Sequence, residues 1–265
     1  MDGRPPLLMI GQPMDASGFR AQVKLFEDRT VVTYDPRGLG RSKRKDGGVT
    51  NDPETQAEDI HAIIEALGVG PVQMFASSGG AVSALALVTA YPEDVSILVA
   101  HEPPIDCVLP DAQAVRRARA AYTREYQDKG WGAGMAAFIA MTSWEGEITE
   151  EHLAQPAPDP TVFGLPTEDD GTRDDPLLSD RSWAVPHYEP DLETLKAVPT
   201  RIIVAVGEES VKVYTGRAAI ALADQLGQQA TVFPSHHGGF MGGEFGYAGQ
   251  PEAFAARLRE VLQIN

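Results

Sequence analysis

Short runs of apolar and β-branched residues alternate along this chain with amphipathic stretches, the pattern of parallel strands joined by crossover helices. Residues 5–10 (PPLLMI) read as a buried strand, and 30–34 (TVVTY), 72–76 (VQMFA), 95–101 (VSILVAH), 201–206 (RIIVAV) and 230–234 (ATVFP) as further strands. Between them, Phe19, Val23 and Phe26 share one face of a helix over 16–28. Asp52 as N-cap and Pro53 in the first turn start a helix whose Ala57, Ile60, Ile64 and Leu67 form one stripe, ended by Gly68. Helices follow over 79–91, near 214–226, and from Pro251 onward, the last with Phe254, Leu258 and Val261 inward. The alternation breaks once. Residues 105–195 hold two helical pieces, 111–129 and 132–143, then a segment rich in Pro, Asp and Gly between 154 and 182. This predicts an α/β core of residues 1–104 and 196–265 with a helical lid, 105–195, inserted into it.

Trp131, Trp144 and Trp183, all the tryptophans of the chain, fall in that insertion. Such rings supply much apolar area at little entropic cost, so they are expected to line a substrate pocket; the alternative is that they form the insertion's own small core.

The composition, 43% hydrophobic and 23% charged, is that of an ordinary globular protein. Its 38 acidic and 22 basic residues give a net charge of −16, a field that repels phosphate backbones and anionic membrane surfaces. Neither nucleic acid nor a membrane is therefore an expected partner. No run approaches the roughly 18 apolar residues of a spanning helix, and the N-terminus lacks the pattern of a signal peptide, so a cytoplasmic protein is expected. Cys107 is the one cysteine. It has no partner for a disulfide or a zinc pair and reads as a small packing residue.

The segment VQMFASSGGAVSALAL carries the most chemistry. A strand runs into a helix through Ala76-Ser77-Ser78-Gly79-Gly80, a small-x-nucleophile-x-small arrangement that lifts one side chain out of a strained turn. Ser78 has Ala76 and Gly80 two residues away on either side, whereas Ser77 would have Phe75, so Ser78 is the candidate nucleophile. A serine here can also merely cap the following helix.

With this elbow, with Asp35-Pro36-Arg37-Gly38-Leu39-Gly40-Arg41-Ser42 matching a D-x-R-G-x-G-x-S loop, and with the late SHHGGF at 235–240, the chain resembles the α/β-hydrolase superfamily in its lidded, esterase-like branch. The resemblance implies a mostly parallel sheet flanked by helices. The sequence reads directly into the strand that feeds Gln12, so the two antiparallel strands that usually come first are not expected, which would leave TVVTY at an edge. Such an edge is expected to be covered by a partner subunit, making a homodimer, or by lid or terminal residues.

A serine hydroxyl needs a general base to take its proton. The resemblance places that base at His237, since His237-Gly238-Gly239-Phe240 fits the usual H-x-G-F; His236 is its alternative. A metal site built on the histidine pair lacks carboxylate or cysteine ligands at any recognisable spacing, so neither metal nor cofactor is expected. The third member is a carboxylate that fixes the imidazole tautomer. The superfamily usually carries it three residues past the glycine that ends the strand RIIVAV, where this chain reads Gly207-Glu208-Glu209-Ser210. A second location in the superfamily, after the preceding strand, reads Ala100-His101-Glu102-Pro103. Glu102 is therefore the leading acid, with Glu209 and then Glu208 behind it, and His101 is expected to be structural and to face away. The resemblance also assigns the oxyanion hole to the backbone N–H groups of Gly79 and Gln12.

No phosphate-binding fingerprint is present, and the basic run Arg41-Ser42-Lys43-Arg44-Lys45 reads as a solvated loop that pairs with nearby acids. The expected function is hydrolysis of a small or medium carboxylic ester through an acyl-enzyme, with a small acyl compound as partner. Thioesters, lactones, carbon–carbon bonds and perhydrolysis are open to the same three residues, and a non-catalytic binding protein is the reading outside enzymes.

Overall fold

Six strands, β1 (Leu7–Gln12), β2 (Val31–Thr33), β3 (Val72–Ser78), β4 (Val95–His101), β5 (Arg201–Gly207) and β6 (Thr231–Phe233), form one parallel sheet in the order β2-β1-β3-β4-β5-β6. The structure, a computed structural model, describes residues 4–48 and 51–263; Met1, Asp2 and Gly3, which begin the expected core, lie outside the described residues.

Both sheet faces are covered, which is why the strands read as continuous apolar runs. Successive side chains point to opposite faces. Leu7, Met9, Phe75, Val99 and Ala205 pack with Phe254, Leu258 and Val261 of α9 (Pro251–Gln263). Leu8, Ile10, Met74, Leu98 and Val204 pack on the other face with α2 (Pro53–Leu67), α3 (Gly79–Ala90) and α8 (Tyr214–Gln225). The ends of α2 are those expected: Asp52 accepts from the Thr55 N–H at 2.8 Å, and Gly68 adopts φ 63°. Helix α3 is buried from Gly79 through Val88, so it shows apolar residues all round rather than a stripe.

Two sequence expectations are corrected here. The helix over 16–28 is a 3₁₀ turn at Ala16–Phe19 followed by α1 (Arg20–Leu25). The tighter turn shifts the phase, so Val23 is 37% exposed while Phe19 and Phe26 stay buried. Cys107 is not a packing residue; it is exposed, in a short 3₁₀ turn at Asp106–Val108. At the sheet edge, β2 pairs with β1 alone among the described residues, and its three residues are half-buried. The basic loop behaves as expected: Arg41 pairs with Asp35 at 2.9 Å and Arg44 with Asp46 at 2.7 Å.

Between β4 and β5 lie α4 (Ala112–Lys129), α5 (Trp131–Thr142), α6 (Glu150–Leu153) and α7 (Leu192–Ala197). Helices α4 and α5 approach closely at Gly134, where a Cβ would come within 2.8 Å of the Tyr126 Cα. No helix among the described residues is long and apolar enough to cross a membrane.

Candidate active site

Four of the candidate residues stand at the carboxyl ends of neighbouring strands, where a parallel α/β sheet opens a crevice. Register sets Gln12, the last residue of β1, opposite Ser78, the last residue of β3. Ser78 has φ 57° and ψ −131°, a conformation that costs a non-glycine residue on the order of 1–3 kcal/mol. Its hydroxyl makes no capping hydrogen bond to α3, which removes the bland explanation for a serine at this position. The small neighbours have a steric cause. A Cβ on Gly80 would lie 2.7 Å from the Gly11 Cα and 2.9 Å from the Gly11 N, and Ala76 is fully buried. Gly79 opens α3, so its N–H is among those with no partner inside the helix. Gln12 is buried, and its Oε1 accepts from the Ser83 hydroxyl at 2.9 Å.

Glu102 follows β4 directly and is fully buried, with φ 46°. Its carboxylate takes every bond from protein. The Gly207 N–H donates to Oε1 at 2.8 Å, the Thr215 hydroxyl to Oε2 at 2.6 Å, and His237 Nδ1 to Oε2 at 2.6 Å. Burial alone would push this carboxyl up. The charge of His237 and its hydrogen bond, with lesser contributions from His101 and Thr215, outweigh that and bring it down to about 2. Glu102 is thus an ionised acceptor that holds the proton of His237 on Nδ1, and Nε2 has no partner among the described residues.

His237 sits in the loop after β6, and Phe240 anchors that loop by packing at 5.4 Å against both Phe19 and Phe75. The adjacent His236 lines the same cavity, but its Nδ1 is occupied, accepting from the Gly238 N–H at 3.0 Å. Left-handed φ values at non-glycine residues occur among the described residues at Ser78, Glu102, Ser235 and Phe245. Three of the four therefore fall at the candidate nucleophile, at the candidate acid and two residues before the candidate base, and strain of this kind concentrates at functional sites.

Ser78, Gly79, Gln12 and His237 line one cavity of about 370 Å³. Ser78 and His237 share its wall without a hydrogen bond between them, a geometry that commonly tightens only around substrate. The insertion contributes Arg119, Phe138, Ile139, Leu177 and Val185 to the wall. Among the described residues no group of three or more His, Cys, Asp or Glu side chains is placed to hold a metal ion.

The other candidates go elsewhere. Glu208 and Glu209 are exposed, and among the described residues neither has a hydrogen bond or ion pair to His237; Glu208 instead accepts from the Ser235 N–H at 3.3 Å, and Glu209 lines the cavity. The tryptophans do not line the cavity, which corrects the expectation for all three. Trp131 donates to Asp175 at 3.0 Å, Trp144 donates to the Glu147 carbonyl at 3.1 Å and packs on His152, and Trp183, 44% exposed, stacks on His187. The indole N–H groups of Trp131 and Trp144 and the rings of Trp144 and Trp183 find partners within the insertion, so they brace it from outside the cavity.

His101 is buried as expected but does not face away from the site. Its ring lies 6.0 Å from that of His237, its Nε2 is 3.8 Å from Glu102 Oε1, and its Nδ1 is 3.2 Å from the Ser77 hydroxyl. Burial lowers its pKa to about 4, with Glu102 opposing and His237 adding to the shift, so it is neutral at neutral pH. The glycine-rich loop is also explained. Asp35 accepts from the N–H groups of Ala16 and Arg41, both at 3.0 Å, and a Cβ on Gly40 would lie 2.7 Å from its carboxyl carbon. This loop is thereby tied to the segment that follows Gln12.

Comparison with known proteins agrees with this architecture. The family model of the alpha/beta hydrolase fold matches residues 5–138, about half of the chain. An uncharacterized hydrolase of Bacillus subtilis, YraK, is 28% identical over 238 residues, covering 88% of this chain and 79% of that protein. A bifunctional esterase/perhydrolase of Acinetobacter calcoaceticus is 36% identical over 101 residues, only 36% of each chain. Among solved structures, an esterase from Exiguobacterium antarcticum superposes with a TM-score of 0.67 at 19% identity, over 98% of this chain and 92% of that one. By the family model that matches residues 5–138, the chain belongs to the alpha/beta hydrolase fold family.

Proposed function

We propose that this protein is a serine hydrolase that cleaves a small or medium carboxylic ester through an acyl-enzyme intermediate. The observation that carries this reading is the strained, uncapped Ser78 sharing a cavity wall with an imidazole whose Nδ1 is held by the buried Glu102. In the reaction, Ser78 Oγ attacks the ester carbonyl carbon and its proton passes to His237 Nε2. The N–H groups of Gly79 and Gln12 receive the oxygen that becomes negative. Collapse breaks the bond to the alcohol, which leaves with the proton from His237. Water then gives its proton to His237 and attacks the acyl carbon; collapse breaks the bond to Ser78 Oγ, which takes that proton from His237 as the acid is released.

A cavity of about 370 Å³ suits a small or medium acyl group. The test is pre-steady-state release of 4-nitrophenol from a 4-nitrophenyl ester. A burst close to one equivalent of enzyme, absent in Ser78→Ala, is expected. An unchanged burst in that variant contradicts the assignment.

A further inference from the structure

The cavity holds one guanidinium among its lining residues, and the ester chemistry just described gives it no task. Arg119 lies on α4, and its side chain is only 10% exposed. Its Nη1 donates to the Tyr122 hydroxyl at 2.6 Å and its Nη2 to the Tyr214 hydroxyl at 3.0 Å. A guanidinium has five N–H donors, so three have no partner among the described residues: the sealed Nε and one on each terminal nitrogen. Its charge is also incompletely matched. Asp106 Oδ1 is 3.7 Å from Arg119 Nη2 but takes its hydrogen bond from the Tyr214 hydroxyl at 2.6 Å. Asp106 Oδ2 lies 3.9 Å from Nε of a second arginine, Arg116. Asp106 thus takes no direct hydrogen bond from either guanidinium, and Arg116, 39% exposed, is itself screened by water. Glu209, the acidic side chain of the wall, is exposed and its field is screened by water.

A buried cation with spare donors in a cavity whose exposed wall is mostly apolar by area is built to receive an anion, and a guanidinium matches a carboxylate best. During the reaction the alcohol must depart, whereas the acyl group stays on Ser78, so the enclosed wall made by the insertion faces the acyl part. We propose that Arg119 forms a subsite for a carboxylate at the far end of the acyl chain, so that the preferred substrates are half-esters of dicarboxylic acids. This inference rests on the hydrolytic reading above.

The test compares kcat/KM for the 4-nitrophenyl half-ester of glutaric acid with that for 4-nitrophenyl pentanoate, which has the same chain length without the second carboxylate. The wild type is expected to prefer the half-ester. Arg119→Met should lower the ratio by about tenfold or more, chiefly through KM, and Arg119→Lys, with a charge but no fork, should fall between. Because Arg119 bridges two helices, a second measurement uses the wild type alone: glutarate should inhibit pentanoate-ester hydrolysis at about tenfold lower concentration than pentanoate does. Hydrolysis of the pentanoate ester with no preference for the half-ester, with a ratio that Arg119→Met leaves unchanged, or with equal inhibition by the two acids, overturns the subsite and leaves the hydrolase reading standing. Hydrolysis of neither ester overturns both.

Discussion

At the end of β4 a glutamate is fully buried, with three protein donors on its two oxygens; at the end of the neighbouring β5, two glutamates are exposed and neither is hydrogen-bonded to the imidazole. The strands are adjacent and both ends lie at the same edge of the sheet. A carboxylate in water exchanges its hydrogen bonds with solvent and fixes nothing. A dry one must take all its bonds from protein, so its position and its charged state are set, and it can set those of a histidine. The end of β5 still contributes, but with its backbone: the Gly207 N–H helps hold the acid that β4 supplies.

Substitutions can break this contrast in order of expected size. Ser78→Ala should lower ester kcat/KM by at least about 10³-fold while the far-UV circular dichroism stays that of the wild type. Glu102→Gln keeps the shape but not the charge and should cost about 10²- to 10⁴-fold in kcat. Glu209→Gln should stay within about twofold of wild type. A larger loss from Glu209→Gln than from Glu102→Gln would reverse the assignment of the acid.

The smallest effect is on stability in acid. His101 and Glu102 both bind protons less readily in the folded state, with pKa values of about 4 against 6.5 and about 2 against 4.5. Between each pair of values the unfolded chain holds more protons, so stability rises with pH. It is full above about 6.5 and falls on acidification, first through the His101 window and then through that of Glu102. The groups facing the His101 ring are Glu102, His237 and the Ser77 hydroxyl, the remainder being phenyl rings of Phe75, Phe233, Phe240 and Phe254. Urea midpoints measured from pH 6.5 down to 4 should therefore decline in the wild type and less steeply in His101→Leu. An equal slope in the two proteins would assign the acid sensitivity elsewhere.

What was legible in the sequence follows from how far each constraint reaches along the chain. The elbow is local: five consecutive residues state the turn, and the contact that demands Gly80 comes from a neighbouring strand of predictable register. The strands were equally plain, because with both faces buried each reads as a continuous apolar run, although the face each residue takes was not. Glu102 could be placed by position alone, but its holders, Gly207 and Thr215, lie 105 and 113 residues away and leave no local mark. The strained φ of Glu102 was hidden for the same reason. The tryptophans misled because a large ring signals burial against something without naming it, and Asp175, 44 residues beyond Trp131, decides where that ring goes. The Arg119, Tyr214 and Asp106 cluster has no motif at all, since it joins two helices and a turn through ordinary residues. Alternation of charge and apolar residues on α4 gave no sign that one arginine turns inward.

The central claim is that the oxygen of Ser78 is a nucleophile activated by His237, and covalent trapping tests it most directly. After incubation with a fluorophosphonate, peptide mapping by mass spectrometry should find a single adduct on Ser78. The adduct should form far more slowly in His237→Gln and be absent after Ser78→Ala. An adduct on any other residue, or ester turnover that continues with Ser78 unmodified, would contradict the account.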